Sequence, residues 1–200
     1  MAEANTPWGY RVTLAEGEDA IAPLLDVETF RTLSGNRLSS TDAVIAAKLA
    51  AVSSAVRDYC GWHVAPVMEC ACELDGGGRT LWLPAMGVRS VESVAVCGEG
   101  RDCYEWAERG ELRLARPAPD RLRAVTVRFV AGYDPAATQA IAQVVCQLTE
   151  NAIVATPGLR EEHAGQVGAT YNQTESGVSG GVRLLPSDMA ALGYYRIITA

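Results

Sequence analysis

Lysine is nearly absent: Lys48 is the only one in 200 residues. Lys and Arg together number 17 against 24 Asp and Glu, which leaves a net charge of −7. Tight, sequence-independent DNA binding needs clustered cations that displace counterions, so this balance argues against it. An aromatic platform for stacking bases would want Lys and Arg interleaved with Trp8, Trp62, Trp82 and Trp106, and a single lysine does not supply that. Histidine is scarce too, with only His63 and His163. No run of 18 apolar residues occurs, so no transmembrane helix is expected. The opening MAEANTPWGY has neither a basic n-region nor an apolar h-region, so synthesis and folding in the cytoplasm are expected. What is plentiful is ordinary core material. Hydrophobic residues are 48% and charged residues 20%, in a length that suits one or two domains.

Motifs that carry chemistry are missing as well. The glycine-rich stretch Asp75-Gly76-Gly77-Gly78 lacks the Lys and Ser/Thr of a phosphate-binding loop and runs into a strand, so it reads as a hairpin turn. Cys60 and His63 are close enough in sequence to suggest a thiol nucleophile and its base. Cys60 falls in the last turn of a helix, however, where the dipole opposes a thiolate, so a packing role is the better reading. Glu69, Glu73 and Asp75 form no acid/base pair. Of the six cysteines, Cys70 and Cys72 form C-x-C and share one strand face. Cys97 and Cys103 flank Gly98-Glu99-Gly100 and are expected opposite each other across a hairpin. A zinc-stabilised nucleic-acid adaptor built on these four is one alternative, but the spacing is not that of a finger or ribbon. Reduced, half-buried thiols are the simpler expectation. No catalytic, cofactor or metal residue is assigned.

The stretch Thr41–Pro66 organises the rest. Ile45, Leu49, Val52, Val56 and Tyr59 recur three and four residues apart and form one apolar helical stripe. Thr41 or Asp42 caps its start, and Gly61 its end. Small residues, Ala43, Ala46, Ala47, Ala50, Ala51, Ser53, Ser54 and Ala55, line the remaining faces and allow close approach by neighbours. Before it, residues 1–25 read as an acidic arm with a short strand at 10–14, and 26–34 as a short helix capped by Asp26. After it, the period changes to two. Strands are expected at 68–74 and 79–84, joined as a hairpin, then at 88–96 with a bulge, 102–108, 111–115 and 123–133. A second helix follows Asp134-Pro135 and buries Ile141, Val144, Val145, Leu148, Ala152 and Ile153. Beyond Arg160 the composition turns glycine-rich and polar, too poor in apolar surface to build a core. A short helix starting at Pro186-Ser187-Asp188 then puts Met189, Leu192 and Tyr195 on one face, and together with Leu184 and Leu185 they give the arm an apolar end expected to fold on a partner.

The fold class expected is α+β: a small helical core interrupted by a five- to six-stranded antiparallel β insert, with extended arms at both ends. The boundaries are arm 1–25, helical core 26–66, β insert 67–131, helical core 132–158 and C-terminal arm 159–200.

Four segments in this order, YCGWHVAP, LDGGGRTLWLP, VRSVESV and VRFVAGYDP, followed by a terminal helix containing Tyr195-Arg196, give the chain a likeness to a known family. Over about residues 26–196 it resembles the head–tail connector, or adaptor, proteins of tailed bacteriophages, in the version with a β insert. The resemblance implies a non-enzymatic virion component: a dodecameric ring of copies beneath the portal protein, extending the DNA exit channel and offering a docking surface to a head-closure (stopper) or tail-terminator protein. DNA would be passing cargo, no membrane would be involved, and no cofactor is implied. On that reading Leu184, Leu185, Met189, Leu192, Tyr195 and Arg196 would contact the portal or a neighbouring copy. The glycine-rich stretch 165–181 and the six cysteines depart from the family's pattern. Another neck or tail-completion protein and, more remotely, a Cys60/His63 thiol enzyme are the alternatives.

Overall fold

Local chemistry starts the first helix. The Asp26 carboxylate accepts from the Thr29 backbone N–H at 2.7 Å and caps α1, Val27–Leu33. The apolar stripe of α2, Asp42–Cys60, buries Ile45, Leu49, Val52 and Val56, each at most 1% exposed, but its last expected member, Tyr59, is only half-buried and Cys60 is the buried residue of the last turn. A computed structural model describes residues 2–135, 138–154, 161–164, 167–170 and 184–197. Its architecture is α+β, and the chain divides into two compact units.

One unit comprises Met1–Ala22, Arg57–Thr138 and Gly193–Ala200 and holds two antiparallel sheets. The larger sheet has six strands in the order β1-β2-β3-β9-β5-β6. These are β1 Ala2–Asn5, β2 Tyr10–Leu14, β3 Met68–Leu74, β5 Val88–Val96, β6 Glu99–Arg101 and β9 Val125–Ala131. The smaller has β4 Thr80–Trp82, β8 Glu111–Leu114 and β7 Tyr104–Trp106, in that order. The N-terminal arm is extended and lies along the large sheet: Tyr10 pairs with Cys72 and Val12 with Cys70. Alternation in β9 buries Val125, Val127, Phe129 and Ala131 and leaves Thr126 and Arg128 outside. The irregularity anticipated in 88–96 is present, with register shifts at Val88/Ser90 and Val91/Ser93.

Two expected pairings are different. Residues 68–74 and 79–84 are not a hairpin. β3 pairs with β2 and β9, while β4 pairs with β8 in the other sheet. Gly76 between them serves close packing rather than a two-strand turn. Gly76 N–H donates to the Arg121 carbonyl at 2.9 Å, and a Cβ on Gly76 would fall 1.9 Å from the Pro119 carbonyl oxygen. The second difference is the turn after β5. It is Cys97-Gly98, both at positive φ (52° and 84°), a two-residue turn joining Val96 to Glu99. Cys97 therefore sits in the turn and Cys103 beyond the far end of β6, so the two do not face each other.

The second unit comprises Pro23–Val56 and Gln139–Leu192. It holds α1, most of α2, α3 Gln139–Val154 and α4 Pro186–Leu192. α3 starts four residues after Pro135 and buries Ile141, Val144, Val145, Cys146, Leu148, Thr149 and Ala152. Ser53 Oγ of α2 accepts from the Leu24 backbone N–H at 2.9 Å. α3 packs against α1 and α4. A separate hairpin pairs β10 Glu161–Ala164 with β11 Val167–Thr170. No helix among the described residues is long and apolar enough to cross a membrane.

Candidate interaction site

The last turn of α2 delivers Arg57 into the interior of the β unit, where it is 5% exposed. Among the described residues no carboxylate pairs with it. Its Nε donates to the His63 carbonyl at 2.8 Å, and its Nη2 to the Ala22 and Ala65 carbonyls at 2.7 Å each. Three carbonyls from two separate stretches of backbone thus converge on one guanidinium, whose fork matches several acceptors at once. Burial pulls its pKa down to about 10, and it remains charged at neutral pH.

His63 lies beside it, fully buried. Its Nδ1 accepts from the Tyr10 hydroxyl at 2.7 Å and its Nε2–H donates to the Ala131 carbonyl at 3.1 Å. The His63 backbone N–H donates to the same Tyr10 oxygen at 2.9 Å. Burial first, and the nearby Arg57 charge, push the imidazole down to about 4. From here a series of edge-on ring contacts leads outward: His63 to Trp62 at 5.2 Å, Trp62 to Tyr133 at 5.6 Å, Tyr133 to Tyr195 at 5.5 Å and Tyr195 to Tyr194 at 5.4 Å. Trp62 is 0% exposed and Tyr194 67%, so the series runs from core to solvent.

The C-terminal residues fasten onto this series. The 3₁₀ turn Gly193–Tyr195 brings the Tyr195 carbonyl to the Trp62 Nε1–H at 2.7 Å. The Ile197 N–H donates to the Cys60 carbonyl at 3.0 Å, satisfying an acceptor at the end of α2. Arg196 stands 5.2 Å over the Tyr59 ring.

The six sequence-predicted contact residues therefore divide. Tyr195 and Arg196 belong to the β unit and are engaged as described. Leu184, Leu185, Met189 and Leu192 belong to the helical unit. Leu192 is 0% exposed, closed by the chain itself rather than held open for a partner, whereas Leu185 and Met189 are each 39% exposed. The Asp188 carboxylate accepts from the Leu185 N–H at 2.9 Å and anchors the entry to α4. Tyr10, Arg57 and Tyr133 were not singled out from the sequence. One signal was available: Ser53 and Arg57 stand four apart along the flank of the α2 stripe, so both polar groups must find partners in the interior.

The thiol and zinc alternatives fail on geometry. Cys60 is fully buried and burial pushes its thiol up to about 12, while both His63 nitrogens are committed elsewhere. Cys70 and Cys72 lie on β3, and β9 separates β3 from β5, the strand that leads to Cys97. Two strand spacings are roughly 9–10 Å, too far for thiolates sharing one zinc ion.

Neither a protein-family model nor a curated protein sequence matches the chain. Solved structures do. A chain from the neck of an empty gene transfer agent particle, computed with C6 symmetry, is 18% identical with a TM-score of 0.58. The alignment covers 92% of this chain and 96% of that one. A chain from the neck of the native particle, computed with C12 symmetry, is 17% identical with a TM-score of 0.57 and the same coverage. A chain from the native gene transfer agent virion gives the same values. The fold is shared. It extends over nearly the whole of both chains, the β unit and the helical unit alike.

Proposed function

We propose that this chain is a structural protein of the neck of a phage-like particle, a non-enzymatic adaptor between head and tail. Copies form a ring beneath the portal protein, extend the DNA exit channel and present a surface to the next neck or tail protein. The observation that carries this is the whole-length likeness to gene transfer agent neck chains, from particles computed with sixfold and twelvefold symmetry. Chemistry agrees with it. The buried polar residues Arg57, His63 and Tyr10 are satisfied by one another and by backbone, which suits a rigid building block rather than a catalyst. A net charge of −7 with one lysine suits a wall that DNA passes without being gripped. Leu185, Met189 and Tyr194, exposed near the C-terminus, are the contact residues proposed for portal or neighbour. Assembly takes place in the cytoplasm of the cell that makes the particle.

Gold-labelled antibody against the chain, applied to purified particles of its source, tests the placement. Label at the head–tail junction is expected. Label on the shell or the tail tip, or particles without the chain, would overturn the reading.

A further inference from the structure

The β10–β11 hairpin stands apart from both sheets. Its register is Glu161↔Thr170, Glu162↔Ala169, His163↔Gly168 and Ala164↔Val167, and the sheet contains these two strands only. In an antiparallel pair, alternate residues turn both N–H and C=O away from the partner. Two four-residue strands thus offer about four N–H and four C=O groups to their outer edges. No described strand takes them. A lone two-stranded hairpin is marginal in water and gains stability from a third strand. Its own residues add little, because EEHA and VGAT are rich in Glu, Ala and Gly, which are weak strand formers. A free β edge on a virion component is also a hazard, since it templates pairing with other chains.

We propose that these edges are paired by the same hairpin of neighbouring copies. β10 of one copy would lie against β11 of the next, so that the ring carries a continuous band of antiparallel strands. This rests on the ring reading above. The contact is heterologous, one edge meeting a different edge, and such contacts close when repeated by rotation. Every strand alternates in direction around the band, as a rotational array of hairpins requires. Closure leaves no free edge. With the twelvefold symmetry of one similar neck, two strands per copy at about 4.8 Å spacing give a circumference of roughly 115 Å and a width of at least roughly 37 Å.

Proline substitution and amide exchange on the full-length protein test this. One of the adjacent residues Glu162 and His163 turns its N–H to the outer edge, and proline removes it. Glu162→Pro and His163→Pro are expected to melt as the parent does, because the hairpin belongs to neither sheet, yet to lose most of the ring population. Glu162→Thr, which keeps the N–H and favours a strand, should keep the ring. Amides of 161–164 and 167–170 should exchange freely in single protomers and slow by roughly tenfold or more in the assembled parent. If the parent forms rings and the proline variants form them equally, or the amides stay unprotected in the ring, the proposal is wrong. Protection of 161–164 and 167–170 accompanied by new protection of β1 or β6 would seat the hairpin on a neighbour's sheet and also overturn it. If the parent forms no ring at all, the ring reading itself falls, and the pairing with it.

Discussion

Acid should weaken the β unit through one residue, His63. The folded imidazole is fully buried, its Nδ1 facing the Tyr10 hydroxyl at 2.7 Å. A second ring proton would have to enter there, beside the charged Arg57 guanidinium that is bonded to the carbonyl of His63 itself. Folding therefore lowers the pKa from its ordinary 6.5 to about 4, with burial the largest cause. Between these values the unfolded chain holds the extra proton and the folded one does not. Stability then rises with pH across the window and is lost as pH falls through it, fully so below about 4. A difference of about 2.5 pKa units corresponds to about 3 kcal/mol. Urea unfolding at pH 7 and at pH 4, for the parent and His63→Gln, isolates the effect, because carboxylates titrate alike in both proteins. The variant is expected to be weaker at pH 7 but to lose about 3 kcal/mol less on acidification. Equal losses in the two proteins would refute the argument.

Other outcomes follow from particular contacts. Arg57→Met strands three buried carbonyls and should cost about 3–5 kcal/mol in denaturant unfolding, with Arg57→Lys intermediate because an ammonium cannot span all three. Leu192→Ser should cost about 2–5 kcal/mol, whereas Leu185→Ser and Met189→Ser stay within roughly 1 kcal/mol of the parent and weaken only assembly. Gly76→Ala forces its Cβ onto the Pro119 carbonyl and should lower the melting temperature by several degrees, since no flexible side chain can move aside. In native protein a thiol reagent should titrate Cys97 and Cys103 quickly and reach the other four cysteines only after unfolding.

How far the sequence foretold this differs by element. α2 and four of its five stripe residues were legible, because a stripe at helical spacing over 19 residues leaves little choice; only in the last turn is Cys60 buried in place of Tyr59. Asp26 likewise announced α1 through its cap. Most strand positions in 67–131 were legible from alternation and turns, but β6, Glu99–Arg101, was read as a turn, the strand expected at 102–108 shortens to Tyr104–Trp106, and partners were not legible. Nothing local distinguishes β4 pairing with β3 from β4 pairing with β8, and the choice between them is made by long-range packing. Cys97 was misplaced because a cysteine at positive φ is an unusual turn former, so the eye falls on Gly98-Glu99-Gly100 instead. Of the contact residues, the apolar spacing of 184–195 was readable. Which members are covered by the chain itself depends on long-range packing, and that is why Leu192 is buried while Met189 is not. The Arg57–His63–Tyr10 junction was hidden for the same reason: Tyr10 and His63 are 53 residues apart.

The central claim is a ring of copies at a particle neck. Mass photometry combined with negative-stain imaging of the purified full-length chain, alone and mixed with the portal protein of its particle, tests it most directly. Rings of six or twelve copies of the 21.2 kDa protomer, seated coaxially on the portal, are predicted. A protomer that stays single at every concentration and does not bind the portal would contradict the account.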